Sequence, residues 1–444
     1  MRNEDDSFAC QAIKILDCVA LTTFSLLVFL SIVGIADYQV DWPASLNRIN
    51  GVADNVLLIV SLLKIFLYFD KNRVDAILGG GLLSLFVLLN LLNQCDYVQL
   101  VALIVSMMGI KFEKIVKVYI SVEGITILVT FLASAVGLIS NAYEERYTSL
   151  VKNVYCLGFS GHNTPMALCL MLSLALAYYT RKSKVRIQIV VLLMLFMTLM
   201  YIITGSNSSF IIGIVIMVLT ILEYILSESV ENRKILKLRT AFLSGLRFAP
   251  LYSLLFTILG MCYYGRFGRI GLHFYTLVSR FEIIYWELGL AGLHMPFYAL
   301  REANKEGVNF PYFLSEDIES GAYNNVDFNL LRGLGELKRG QLFGGSDIEY
   351  FNILLFDGLI VLIPYILLSI YLLYKSHKKK EYVLMLCIVG SIFYGNFEAL
   401  KSGYAALQIF LVALLSDYDN DYKRENRNDI WYRKQIFRNS KNER

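Results

Sequence analysis

A short polar segment, Gly-Phe-Ser-Gly-His-Asn-Thr-Pro at residues 158–165, comes directly before a long apolar run. Asn163 or Thr164 followed by Pro165 is typical of a helix that begins here with a polar N-cap. A helix N-terminus also carries partial positive charge, so His162 and Asn163 are candidates for binding a polar or anionic ligand. A structural cap and a ligand site both fit this segment.

A second polar segment, Thr-Gly-Ser-Asn-Ser-Ser at residues 204–209, separates two apolar runs with almost no loop. If these runs cross a membrane, such a break is tolerated where protein buries it or where it lines a wet cavity. It is therefore either a tight turn between helices or part of a pocket for sugar or phosphate. In the second case the binding side chains are those of Thr204, Ser206, Asn207 and Ser208.

Further along the chain, two arginines and two carboxylates could complete such a site. Arg280, near Trp286, and Arg332 suit bidentate contacts with phosphate or pyrophosphate, and the aromatic ring suits stacking on a sugar. Either arginine would equally serve as an ion-pair partner. Asp347 and Glu349 open the next apolar run, where they could cap a helix or act as a general base on an acceptor hydroxyl.

Composition restricts the class of protein that presents these residues. Of the 444 residues 56% are hydrophobic and only 18% are charged, against about a quarter charged in soluble domains. This excludes a soluble enzyme, a disordered chain and a disulfide-framed secreted module, and leaves an integral membrane protein. The net charge of +4 is too small to indicate nucleic-acid binding. No ATP-binding glycine loop and no zinc-type spacing of Cys and His occurs, so neither an ATPase nor a zinc site is expected.

Hydropathy predicts an all-α fold with about twelve transmembrane helices, each needing roughly 20 apolar residues. The predicted spans lie near 14–36, 52–69, 74–93, 96–110, 114–140, 163–180, 186–203, 208–227, 241–263, 348–374, 382–397 and 402–416. Every second connection is rich in Lys and Arg, which places those connections and both termini in the cytoplasm.

Four regions follow from this layout. Residues 1–263 carry helices 1–9, 264–346 form one long extracytoplasmic loop, 347–416 carry helices 10–12, and 417–444 form a basic cytoplasmic tail. The long loop is rich in aromatic residues and has helical spacing over 273–303, which predicts short helices against the outer membrane face.

The four polar motifs, in this order and on one side of the membrane, resemble those of the bacterial O-antigen and capsular polysaccharide polymerases of the Wzy type. That superfamily also includes the O-antigen ligases. The counterparts here are Gly158 to Asn163, Thr204 to Ser209, Ser279-Arg280, and Asp347 to Tyr350 with Gly358. Asn207 replaces the arginine usual in the second motif, and Ile348 stands where the fourth commonly has Asn.

The resemblance implies a glycosyltransferase C-like fold in the bacterial cytoplasmic membrane. It also implies transfer of a growing glycan from undecaprenyl pyrophosphate to a lipid-linked oligosaccharide repeat unit, with no metal or nucleotide. The implied partners are this lipid-linked oligosaccharide, membrane lipid, a chain-length regulator and a flippase. Arg280 and Arg332 would bind pyrophosphate, and Asp347, or Glu349 instead, would be the base. His162, Asn163 and residues 204–209 would position sugar or phosphate.

Two other functions remain open from the sequence. A flippase for lipid-linked oligosaccharides would have a similar number of spans, with charges buried in several of them and with pseudo-symmetric halves. The notable intramembrane charges here are Lys64, Glu123 and Glu398, and the long outer loop breaks any symmetry. An O-antigen ligase would use the same chemistry on a different acceptor.

Overall fold

The computed structural model describes residues 2–36, 44–69, 71–93, 97–145, 153–159, 161–228, 233–262, 353, 359–395 and 408–417. Within them the chain is almost entirely helical. The α-helices are α1 (Arg2–Ile35), α2 (Ala44–Tyr68), α3 (Arg73–Asn93), α4 (Val98–Ser106), α5 (Phe112–Ala135), α6 (Asn163–Tyr179), α7 (Arg186–Thr204), α8 (Asn207–Glu228), α9 (Arg233–Gly245), α10 (Ala249–Cys262), α11 (Leu359–Lys378) and α12 (Tyr382–Tyr394). Short 3-10 helices span Leu246–Phe248 and Ile409–Leu414, and a two-stranded antiparallel sheet pairs β1 (Tyr143–Glu145) with β2 (Asn153–Tyr155).

Seven of the described helices are long and apolar enough to cross a membrane, which supports an all-α, multi-pass membrane protein. These spans are Ala9–Ile35, Arg48–Tyr68, Arg73–Leu91, Phe112–Ala135, Arg186–Thr204, Asn207–Ser227 and Leu359–Lys378. The apolar helices α6 and α12 are shorter. The predicted total of about twelve and the cytoplasmic position of the termini stay predictions.

The sequence prediction of one span over 241–263 is wrong. The chain leaves the helix at Gly245, makes a 3-10 turn and starts α10 at Ala249. Pro250 explains the break, because its ring is accommodated in the first turn of a new helix but disrupts the interior of a continuous one. The preceding helix α9 is basic and amphipathic rather than membrane-spanning in composition.

Four further spans differ in extent from their predictions. The span predicted over 96–110 contains only the nine-residue helix α4, and the one over 382–397 has its described helix end at Tyr394. Within the span predicted over 402–416, the described residues form a 3-10 helix. For the span predicted over 348–374, helix α11 occupies 359–378.

Two short helices, α6 and α12, form the centre of the bundle. Nearly every side chain of both is buried, and each packs against α8 as well as against the other. Helix α7 lies at the periphery, where Leu192, Leu195 and Leu199 remain more than half exposed. Since exposed leucines are stable in a bilayer, this distribution is the one expected of a bundle surrounded by lipid.

Ion pairs of Arg181 join three helices at one end of the bundle. We call this end the basic face. Arg181, just after α6, lies 2.7 Å from a carboxylate oxygen of Glu113 on α5 and 3.0 Å from one of Glu381, directly before α12. Near this face the backbone of Asp417 bonds with Ile110 and Phe112. We call the opposite end of the bundle the site face.

Candidate functional site

Three helix ends meet at the same depth on the site face. Helices α6, α7 and α8 pack against one another, and Gly213 of α8 lies beside Leu170 of α6 and Met197 of α7. Each of these residues is about two turns, or about 10 Å, from the end of its helix at this face. The start of α6 and the 204–209 turn, which the sequence placed in two separate motifs, are therefore neighbours.

The 204–209 segment is a tight turn between α7 and α8. Gly205 adopts the left-handed conformation (φ 64°), and its amide donates to the carbonyl of Tyr201 over 2.8 Å. That conformation is costly for residues with a Cβ, which explains the glycine. The rings of Tyr201 and Phe210 stack across the turn at 4.4 Å. The segment thus forms the tight turn that was one of the two interpretations of this motif.

Several hydroxyls of this turn already have partners within the protein. The Thr204 hydroxyl donates to the carbonyl of Met200 over 2.8 Å, and the Ser206 and Ser209 hydroxyls lie 3.4 Å apart. Thr204, Ser206 and Ser209 are buried. In contrast, Asn207 is exposed and Ser208 is half-buried. Among the predicted binding residues of this turn, Asn207 and Ser208 are the ones open to a ligand.

The N-cap of helix α6 lies one residue before the two predicted cap residues. His162 is the N-cap, whereas Asn163 and Thr164 belong to the first turn, so the prediction that one of them is the cap is wrong. The amide of Thr164 instead donates to the carbonyl of Gly161 over 3.2 Å. Pro165 lies in the first turn, as predicted. No side chain caps this N-terminus, so its amide groups point toward the site face.

His162 and Asn163 differ in accessibility. The His162 side chain is only 8% exposed and takes part in interactions within the protein, while Asn163 is half-buried. Asn163 therefore combines a polar side chain with the positive end of a helix that meets the 204–209 turn.

A β-hairpin that the sequence reasoning missed covers part of this face. Strand β2 packs against α7, and the rings of Tyr143 and Tyr155 are paired across the two strands with centroids 5.7 Å apart. Both tyrosines are more than 40% exposed. Exposed aromatic rings suit stacking on a sugar. The sequence signal was only two three-residue strands, too short for periodicity to detect.

Gly158 brings the segment before α6 against the end of α5. It has φ 88°, and a Cβ built there would lie 3.1 Å from the Cβ of Ser134 and 3.2 Å from Thr130. The neighbouring Phe159 packs edge-on against Phe131. A glycine is thus required at this position for both its conformation and its close contacts.

The remaining predicted site residues, Arg280, Trp286, Arg332, Asp347 and Glu349, lie outside the described residues, as do the short helices predicted over 273–303. The described helices that flank this region can be placed. Ser244, near the end of α9 and five residues before α10 begins, lies 3.4 Å from His377 near the end of α11. The start of α10 and the end of α11 therefore share the basic face. The opposite ends, Cys262 and Leu359, consequently point toward the site face.

No group of three or more His, Cys, Asp or Glu residues within the described ranges is arranged to hold a metal ion. Comparisons of the chain with protein-family models, curated proteins and solved structures found no match. Any assignment of function therefore depends on the residues and their geometry.

Proposed function

We propose that the protein is a polysaccharide polymerase of the bacterial cytoplasmic membrane. It transfers a growing glycan from undecaprenyl pyrophosphate to a lipid-linked oligosaccharide repeat unit. The observation that carries the proposal is the meeting of two separate sequence motifs, at the start of α6 and at the 204–209 turn, on one face of a membrane bundle.

The path of the chain supports the same face for the other two motifs. Cys262 and Leu359, which flank the segment containing Arg280 and Asp347, end helices that point toward the site face. A site at the end of a bundle gives a lipid-linked substrate access from the bilayer while its glycan stays in water. This is the arrangement that a carrier with an apolar tail and a polar head requires.

The proposed chemistry needs only side chains. Asp347, or Glu349 in its place, accepts the proton from the acceptor hydroxyl as the hydroxyl oxygen attacks the anomeric carbon of the donor sugar. The bond from that carbon to the pyrophosphate oxygen breaks, and undecaprenyl pyrophosphate leaves. Arg280 and Arg332 stabilise the charge on the leaving group. Asn163, Asn207 and Ser208 bind the sugars, with Trp286 as a stacking surface.

Reconstitution of the purified chain in liposomes with a lipid-linked repeat unit tests the proposal. A ladder of glycan lengths is expected without added nucleotide or metal. Arg280→Ala and Asp347→Ala should each abolish the ladder, because one removes charge stabilisation of the leaving group and the other removes the base. Lys182→Ala, a change at the basic face, is the matched control and should retain it. Ladders of normal length from both site variants would contradict the assigned roles.

A flippase for the same lipid-linked oligosaccharide is the second candidate function. It is favoured by two buried ionisable residues within spans, Lys64 and Glu123, since intramembrane ionisable residues commonly serve transport. Lys64 is paired with Asp17 over 2.5 Å, which gives it a structural role as well. Deleting a polymerase should leave single repeat units on the outer face of the membrane, whereas deleting a flippase should trap them inside.

A further inference from the structure

One face of α5 carries a continuous line of buried polar side chains. Glu123 and Thr130 have no exposed surface, and Thr126 and Ser134 are each 6% exposed. Their spacing of three or four residues places them one above another along the helix. The line begins near the middle of the span and ends at Ser134, beneath Gly158 at the site face. We call these four residues the polar seam.

Helices α1 and α6 pack against α5 and enclose the seam. Next to Glu123 the titratable groups are Tyr119 of α5 and Cys169 of α6, and α1 contributes Phe24, which stacks on Tyr119. No lysine, arginine or histidine of the described residues pairs with Glu123. The carboxyl group is therefore closed off from bulk solvent and has no counter-charge beside it.

Several oxygen atoms along the seam have unused hydrogen-bonding capacity. The Tyr119 hydroxyl is within reach of Glu123, but no well-formed hydrogen bond ends on either carboxylate oxygen. The hydroxyl of Ser134 also makes none with the described protein atoms. By contrast, Thr126 and Thr130 donate to backbone carbonyls over 2.7 and 2.9 Å. Buried polar atoms without protein partners are typical sites of internal water.

Burial of a carboxylate without a counter-charge costs far more than burial of the neutral acid. Glu223 on α8 shows the usual alternative, because it is 7% exposed but forms an ion pair with Arg239. Glu123 has no such partner, so its stable buried form carries a proton.

We propose that Glu123 is a proton-binding site inside the membrane, reached from the site face by water along the polar seam. The proton comes from water at that face, binds one carboxylate oxygen to give the neutral acid, and leaves by the same route. No oxidant or second reactant is needed. This proposal goes beyond glycan transfer and holds whether or not the chain is a polymerase.

Dicyclohexylcarbodiimide, an apolar reagent that adds to protonated carboxyl groups, tests the state of Glu123. The full chain in lipid nanodiscs would be treated at about pH 6, and adducts would be mapped by mass spectrometry. Glu123 should react at least about tenfold faster than the ion-paired control Glu223, since only the protonated acid reacts. Glu123→Gln should lose this adduct and Glu223→Gln should keep it. An unmodified Glu123 in the folded wild-type protein would overturn the proposal.

Infrared spectroscopy tests the route. The protonated acid in the wild-type protein should give a carbonyl band that is absent from Glu123→Gln. This band should shift when water is replaced by deuterated water. Ser134→Leu should slow that shift by about tenfold, because the bulky side chain displaces water at the seam's outer end. Thr130→Val, which replaces one hydroxyl with a methyl group of similar size, should also slow this shift, even if Ser134→Leu does not fold. Thr198→Leu on α7 is the control. Wild-type exchange rates in both seam variants, or no such band, would refute the route.

Discussion

Thr204 and Asn207 stand three residues apart in one turn, yet their side chains have opposite surroundings. Thr204 is buried and its hydroxyl bonds within α7, whereas Asn207 is exposed beside the start of α6. A ligand at this face can contact the second and not the first. This difference separates a binding role from a structural one within a single motif.

We therefore expect Asn207→Ala to lower polymer synthesis by about tenfold in the reconstituted assay, the cost of roughly one hydrogen bond to substrate. Thr204→Val, which keeps the shape of the side chain, should stay within about twofold of wild type. Chain synthesis per mole of inserted protein is the measurement. Equal losses in the two variants would show that the turn acts only through its fold.

At the residue scale, the sequence identified which residues are polar but not which are accessible. Asn163 and Thr164 have good N-cap side chains, but His162 occupies the cap because the chain turns at Gly161, which accepts the bond from Thr164. The exposed pair Tyr143 and Tyr155 was missed, since cross-strand pairing is a tertiary property that two short strands do not signal.

At the scale of elements, Arg181 holds helices together. Its guanidinium contacts Glu113 and Glu381 from two other parts of the chain, lies 3.9 Å from the ring of Tyr178, and is 7% exposed. Burial lowers the pKa of Arg181, but the nearby Tyr178, Glu381 and Glu113 outweigh it and raise that pKa overall, so the side chain stays charged. Removing a buried cation that pairs with two carboxylates costs much more stability than removing one partner of an exposed pair.

Arg181→Ala should lower the free energy of unfolding by about 3 kcal/mol, because it leaves two partly buried carboxylates without their cation. Lys182→Ala should cost less than about 1 kcal/mol, since Lys182 contacts the same Glu113 but its side chain is 46% exposed. Denaturant titration in mixed micelles measures both. Similar losses for the two variants would contradict the bridging role.

The elements were predicted best where hydrophobicity alone decides them. Helices α7 and α8 match their predicted spans closely because long apolar runs end at a polar turn with a glycine. The break before α10 was missed because Arg247 is a single charge in an apolar stretch, and the effect of Pro250 depends on which turn contains it.

At the scale of the whole molecule, helix packing brings distant sequence together. The start of α6 and the turn between α7 and α8 are about 40 residues apart in sequence, yet antiparallel packing places them at one face. The ion pairs of Arg181 lie at the opposite end, the basic face. The alternating basic connections predicted from sequence that these two groups of residues lie at opposite ends of the bundle. That the two motifs lie at the same depth could be seen only from the side-chain packing around Gly213.

The central claim is that the site face and the residues Arg280 and Asp347 share the outer side of the membrane. Single cysteines would replace Asn207, Arg280, Asp347 and Lys182 in a chain from which the seven native cysteines have been removed. An impermeant maleimide added to intact spheroplasts should label positions 207, 280 and 347, and position 182 only after permeabilisation. Labelling of 280 or 347 together with 182, or of 207 and 182 from one side, would contradict the account.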